Sequence, residues 1–345
     1  LSNVSLFKGD FIGQNVRVKE DSLMSEGYST MVEKFDGRGL YDEDAGLAFQ
    51  PYVIKEITGA KIWMVGQAFP RTANATPPEF FPDWSFGLRE DDMIELVQAI
   101  REEEKPEAVV LLSHNGMDVD IKMAERVPVL NAVFGGHTHD GVPEPINVKN
   151  VEGNECWVTN AGSNGKFVGV MDFDIADGEV KGMSYNMMPI LANELPADKE
   201  MQAFIDQMRS TKYDENIVES RVKAMHYNKS RLGKTYAEIL EEKLAIADRV
   251  LYRRGIFMGT WDQVLCNALR EEYSADVAMS AGVRWGTTTL KGDWITMEDV
   301  MTQCSMTYGE TYVSEMTGKD LLNVLEQVAD NLFDPDPYLQ SGGDM

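Results

Sequence analysis

Apolar and polar positions recur with different periods along this chain, and each change of period marks an element. Glu107-Ala-Val-Val-Leu-Leu112 and Asn131-Ala-Val-Phe134 are short apolar runs of the length of buried strands. Between them, the apolar residues of Val119–Arg126 fall at helical spacing. Strand, helix, strand is a βαβ unit, so the two strands are predicted to be parallel neighbours. Tyr52–Ile57 and Lys61–Val65 flank Thr58-Gly59-Ala60 and predict a hairpin. Asp91 to Glu104 predicts a helix that stops before Pro106. Strands follow at Cys156–Asn160, Phe167–Ile175 and Val180–Met188, the last two joined through Asp177-Gly178. Further on, helices are predicted over Asp198–Tyr213 and Trp261–Tyr273, then a short strand at Asp276–Met279.

Two regions carry no regular period. Residues 1–50 are polar and glycine-rich, and residues 67–89 hold four prolines and several aromatics. Both read as irregular chain, and a long irregular loop inside a compact domain is usually functional. Trp84 and Phe86 are candidates to wall a substrate channel, with packing beneath the loop as the other reading. Pro189 to Pro196 marks a boundary, which predicts a first domain over 1–190, a linker helix over 191–217 and a second domain over 218–345. Residues 214–250 are charged and helix-favouring.

Composition narrows the class. At 345 residues the chain can bury two separate cores. No run of about 18 apolar residues occurs, which argues against a membrane-spanning helix. Lys and Arg number 32 against 57 Asp and Glu, a formal charge of −25. Nucleic acid needs a basic stripe, and nothing here supplies one. An anionic substrate must therefore be received by a local cationic site. Cys156, Cys266 and Cys304 form no CxxC pair or zinc spacing and read as buried thiols.

The chemistry concentrates at two predicted strand ends. The first strand delivers Ser113-His114-Asn115-Gly116 and the second delivers Gly135-Gly136-His137-Thr138-His139-Asp140-Gly141. Three of the four histidines in the chain lie here. Parallel strands put both loops on one sheet edge, where open α/β sheets bind ligands. His114, His137 and His139 can then converge, and such clusters commonly hold metal. Nitrogen ligands beside carboxylates suit manganese, iron or zinc rather than calcium or magnesium. Asp140 and Asp118 are candidates to hold an imidazole through its other nitrogen, with solvated loop acids as the alternative. Asn160–Lys166 is a glycine-rich loop that could present amides to an anion or serve as a plain connection. In Ala281-Gly-Val-Arg284, Arg284 is placed to clamp an anion with two bonds, a surface ion pair being the alternative. His226 stands alone and reads as incidental.

Ser-His-Asn-Gly followed by Gly-Gly-His-Thr-His-Asp-Gly-Val-Pro resembles the second half of the two-metal site of the calcineurin-like metallophosphatases, 5'-nucleotidase group. Within that group the chain resembles the SoxB thiosulfohydrolases. The stretches that carry this are Val65–Pro70, Pro82–Arg89, Leu251–Gly255, Gly282–Gly286 and Ala329–Tyr338. The resemblance implies an α/β sandwich metallophosphatase domain followed by an α+β domain like the 5'-nucleotidase C-terminal domain. It implies two manganese ions, His114 and His137 on one and His139 on the other. It further implies Arg284, Asn115 and Trp84 at the substrate, a SoxYZ-type sulfur carrier as partner and a periplasmic setting. The implied reaction is hydrolysis of a cysteine S-thiosulfonate on the carrier, releasing sulfate. Asn164 stands where the resemblance would place a histidine. The upstream Asp-x-His and bridging Asp of relatives have no counterpart before His114, and the chain stops at Gly342-Gly-Asp-Met345. An internal fragment is therefore expected, incomplete at the start of the first domain and the end of the second, with its remaining catalytic groups upstream of Leu1 and little activity alone. The rival readings are a nucleotidase or cyclic phosphodiesterase, and a non-catalytic carrier-binding module.

Overall fold

The computed structural model describes residues 7–34, 41–76, 80–191, 194–213, 229–253, 259–280, 286–304 and 311–341. Its chain divides into two compact units, one of Leu1–Pro189 with Ala329–Gly343, the other of Ile190–Val328 with the last two residues. Residues 329–341, expected in the second domain, group with the first unit.

The first unit is built on a six-stranded sheet. Its strands are β1 (Tyr52–Ile57), β2 (Ala60–Gln67), β3 (Ala108–Ser113), β4 (Ala132–Gly135), β5 (Ile146–Lys149) and β6 (Glu155–Asn160), in spatial order β1-β2-β3-β4-β6-β5. The four central strands are parallel and the two edge strands antiparallel to their neighbours. The hairpin β1–β2 turns at Thr58 and Gly59, both with positive φ, as a two-residue turn of this hand requires. Helix α1 (Glu90–Glu103) crosses from β2 to β3, and α2 (Met117–Arg126) crosses from β3 to β4. The βαβ unit therefore forms as its periodicity predicts.

Alternation along each strand fills both faces of this sheet. Trp63, Val65, Val109, Leu111, Val133 and Val158 point to one side, where Met93, Val97 and Ile100 of α1, Met123 and Ala124 of α2, and Val127 just past α2 cover them. Ile62, Ala108, Val110 and Ala132 point to the other side and meet Met171, Phe173, Ile175 and Val180. Those residues belong to the long hairpin of β7 (Phe167–Ala176) and β8 (Glu179–Pro189), turned at Asp177-Gly178. Helices, sheet, hairpin: the unit is a three-layer sandwich. Each fully buried Val, Leu, Ile or Met contributes about 1.5–3 kcal/mol. A short ladder pairs Arg17-Val18 with Trp84-Ser85, and a helix at Glu26–Lys34 lies in the region expected to be irregular.

The second unit is smaller in its core. Helix α3 (Lys199–Ser210) starts at Asp198, whose carboxylate accepts the Met201 amide at 2.8 Å. Capping boxes at Thr235/Glu238 and Thr296/Asp299 start α4 (Tyr236–Leu240) and a helix at Met297–Gln303. Lys243–Ile246 pairs antiparallel with Trp294–Thr296, where the charged 214–250 stretch was read as helical. Ala247, Leu251 and Trp261 form the core with Ile295 and Val300, Trp261 lying in the helix Thr260–Tyr273. Asp276–Met279 is not a strand. Val277 and Met279 are exposed, and no described strand pairs with the segment, so its apolar pattern has no sheet to join. Among the described residues no helix is long and apolar enough to cross a membrane.

Candidate metal centre

The site grows out of three strand ends. Register pairs Gln67 with Ser113 and Leu112 with Phe134, so β2, β3 and β4 end side by side. His114 leaves β3, Gly136 and His137 leave β4, and Phe69 stands just past β2. The His114 and His137 rings have centroids 5.1 Å apart with planes at 63°. Phe69 stacks on His137 at 3.9 Å and meets His114 edge-on at 6.5 Å. A Cβ on Gly136 would stand 3.1 Å from His114 Nδ1 and 3.3 Å from the Ser113 carbonyl, so glycine there lets the ring lie against the backbone. His137 and His139 both have positive φ, of 70° and 54°. Left-handed backbone at a residue with a side chain stores strain, and such residues cluster at functional sites.

A buried polar chain lies beneath these rings. Gln14 Nε2 donates to Gln67 Oε1 at 2.6 Å, and Gln67 Nε2 to Asn115 Oδ1 at 3.2 Å. Asn115 Nδ2 donates to Asp120 Oδ1 at 3.0 Å, and Ser113 Oγ to the same oxygen at 2.5 Å. The histidine loop is tied on its other side. Thr138 Oγ1 accepts the Met117 amide at 3.2 Å, Asn160 Nδ2 donates to the Gly136 carbonyl at 3.3 Å, and the Gly162 amide to the Asp140 carbonyl at 2.7 Å.

Partial burial favours the neutral form of both imidazoles. His114 is open to solvent on one side, and the protein packed around the rest of its ring lowers its pKa. His137 is lowered to about 4, first by burial and then by its neighbours His114 and His139, against a hydrogen bond to the Ser341 backbone that pulls the other way. Neutral imidazole keeps the lone pair that a metal ion needs. Asp120 moves oppositely: burial pushes its carboxyl up to about 7, although Ser113 and Asn115 donate to it.

The segment Asp334–Ser341 packs beside the histidines. Lys122 Nζ meets Asp336 Oδ1 at 2.5 Å and lies 4.1 Å from the centre of the Tyr338 ring. The Tyr338 hydroxyl donates to the Glu90 carboxylate. Arg71 donates to the carbonyls of Tyr338 and Leu339 at 3.2 and 2.7 Å. A cavity of about 200 Å³ opens here, with Phe69, Arg71, Asn115, Tyr338, Gln340 and Ser341 in its wall.

The donor set fits a metal ion in part. With a metal–nitrogen bond of about 2.1 Å, two imidazoles on adjacent positions of one ion have centroids roughly 4.5–5.3 Å apart, and His114 and His137 are 5.1 Å apart. Neutral rings, a partly desolvated setting and a glycine against His114 suit such an ion. Among the described residues, however, no three His, Cys, Asp or Glu side chains come close enough together to hold one. His139 is near enough to lower His137 electrostatically, yet completes no such group.

The other sequence candidates divide. Asn115 lines the cavity, but both ends of its amide are engaged inward, with Gln67 and Asp120. Asp118 is exposed on the first turn of α2, where an acid favours the helix N-terminus. Asp120, two residues and about 200° further round the helix, is the carboxyl that reaches the strand ends. Asp140 holds the loop through its carbonyl. Trp84 packs 5.7 Å from Phe49 and lines a separate cavity with Phe81 and Phe86. Arg284 and His226 lie outside the described residues. Of the three thiols Cys156 is buried as expected, while Cys304 is exposed. The sequence did not single out Phe69 or Asp120, and it marked Asn160 only as the start of a glycine-rich loop. An acid at an apolar position of the predicted helix, two residues from Asp118, was the one available signal.

Comparison with known proteins agrees with this architecture. The family profile of the 5'-nucleotidase C-terminal domain matches residues 254–345. Protein UshA of Yersinia enterocolitica is 25% identical over 318 residues, covering 85% of this chain and 56% of that protein. A 5'-nucleotidase of Vibrio vulnificus is 26% identical over 333 residues, covering 88% and 58%. Among solved structures, the sulfate thiohydrolase SoxB of Thermus thermophilus in complex with glycerol superposes with a TM-score of 0.77 at 29% identity, over 99% of this chain and 54% of that one. A 5'-nucleotidase precursor, also of Thermus thermophilus, superposes with a TM-score of 0.60 at 18% identity, over 88% and 54%. The chain thus spans a little over half the length of these relatives. The fold is that of a metallophosphatase domain joined to a 5'-nucleotidase C-terminal domain, and the relatives it resembles are 5'-nucleotidases, UshA proteins and SoxB.

Proposed function

We propose that the chain is part of a metal-dependent hydrolase that cleaves a cysteine S-thiosulfonate on a SoxYZ-type carrier protein and releases sulfate. The observation that carries the reading is the His114–His137 pair, two partly buried imidazoles with ring centroids 5.1 Å apart on one sheet edge. The SoxB likeness over 99% of the chain supports the sulfur substrate. His114 and His137 would hold one metal ion and His139 a second, manganese by resemblance, in a periplasmic enzyme. When bound, the metal supplies Lewis acidity toward the sulfonate oxygens and the attacking water. The residues of this chain do the rest. Phe69 keeps water from one face of His137, the glycine-bounded loops fix both rings, and Arg284 would orient the anion.

The names of the sequence relatives favour a second reading, hydrolysis of nucleotides at the same site. Sulfate release from thiosulfonated carrier, measured beside phosphate release from nucleoside monophosphates, separates the two. Turnover of nucleotides alone would overturn the sulfur assignment. A third reading is a non-catalytic carrier-binding module. Metal analysis of the protein purified from its native source decides that: no bound transition metal would favour the module.

A further inference from the structure

Asp120 lies in α2 with 0% exposure, beneath the ends of β3 and β4. Its Oδ1 takes two hydrogen bonds from the turn that carries His114, from Ser113 Oγ at 2.5 Å and Asn115 Nδ2 at 3.0 Å. Ser113 Oγ accepts the Asn115 amide at 3.1 Å, so three side chains and one amide enclose the backbone of His114. Oδ2 makes no hydrogen bond among the described residues. It lies against Gly135, where an added Cβ would stand 2.7 Å from it. One carboxyl group therefore grips the His114 loop by hydrogen bonds and meets the His137 strand end by contact. Nothing in the packing calls for an acid at this place, because Met123, Ala124 and Val133 in the same core are apolar. A buried carboxyl with an unmatched oxygen costs stability.

We propose that Asp120 is a positioning residue for the histidine site, setting the separation of His114 and His137 from below. The proposal rests on the reading of those two rings as a metal-holding pair. It predicts that the pair spreads when the carboxyl is removed and is restored by the amide, since the side-chain oxygen of an asparagine can accept the same two bonds.

The test uses the whole chain with manganese(II) and cobalt(II) as probes. Affinity is measured by calorimetry, and the ring contact by nuclear Overhauser effects between the His114 and His137 ring protons without metal. Asp120→Ala is expected to weaken both cations about 10–100-fold, as loss of a residue supporting a metal ligand does, and to abolish the ring contact. Asp120→Asn is expected to keep affinity within about threefold of the original and to preserve the contact. Ser113→Ala, which removes one of the two bonds, is expected to fall between them. Should Asp120→Ala fail to fold, Ser113→Ala and Asp120→Asn decide. A folded Asp120→Ala, or otherwise Ser113→Ala, with unchanged affinity and ring contact overturns the proposal. So does an Asn variant as damaged as the Ala variant. If the unaltered chain binds neither cation, the metal reading fails, and the ring contact alone still decides what Asp120 does.

Discussion

Replacing Asp120 by Asn should make the metal-free protein more stable at alkaline pH and remove most of a pH dependence. The carboxyl sits at about 7 in the folded chain against an ordinary 3.8, because burial outweighs the two hydrogen bonds it accepts. A folded pKa raised above the unfolded one stabilises fully below 3.8, and that stability is lost as pH rises through about 7. The whole gap is worth roughly 4 kcal/mol at 1.36 kcal/mol per pH unit. Between pH 5 and pH 8 the linkage relation leaves roughly 2–3 kcal/mol of that loss. Asp120 is fully buried, so solvent does not screen the effect. Asn makes the same two acceptor contacts without an ionisation to suppress. Urea unfolding of both proteins with chelator, at pH 5 and pH 8, measures the difference. Parallel pH slopes in the two proteins would mean that the Asp120 carboxyl is not the source of the pH dependence.

Two further outcomes follow from the same geometry. Phe69→Ala removes the ring stacked on His137 at 3.9 Å. It should cost about 3–5 kcal/mol in a well-packed setting, less here because the ring is part-exposed, and should raise the pKa of His137 toward its ordinary value by admitting water, as histidine NMR titration would read; an unmoved titration counts against burial as the cause. Gly136→Ala places a methyl 3.1 Å from His114 Nδ1, so metal affinity should fall while stability changes by about 1–3 kcal/mol; calorimetry and thermal unfolding together check this, and unchanged affinity would mean that the ring is free to move.

Much of the first unit is legible in the chain because its strands are buried on both faces and its crossover helix is short. Val109 to Leu111 and Ala132 to Phe134 read as apolar runs, and the βαβ rule makes them parallel neighbours. That alone brings His114 and His137 to one edge. What did not read is contact between residues far apart in sequence or hidden by a local rule. Phe69 reaches the histidines only because β2 lies beside β3, a neighbour relation that the hairpin β1–β2 does not announce. Asp118 and Asp120 are both acids in the first turn of one helix, and only the buried face of α2 tells them apart. Asp276–Met279 has the composition of a strand, but pattern cannot supply a partner, and none of the described strands takes that place. Residues 329–341 begin inside the helix Gly318–Phe333, yet Lys122, Glu90 and Arg71 hold the part that follows the helix to the first unit.

In the proposed reading His114 and His137 hold one transition-metal ion between them. Cobalt(II) titration of the chain, followed by its visible ligand-field absorption, tests this most directly when run beside His114→Ala and His137→Ala. A saturable spectrum with nitrogen coordination is expected in the unaltered chain, and its loss in each variant with the fold retained by circular dichroism. An unchanged spectrum in both variants, or none in the unaltered chain, would contradict it.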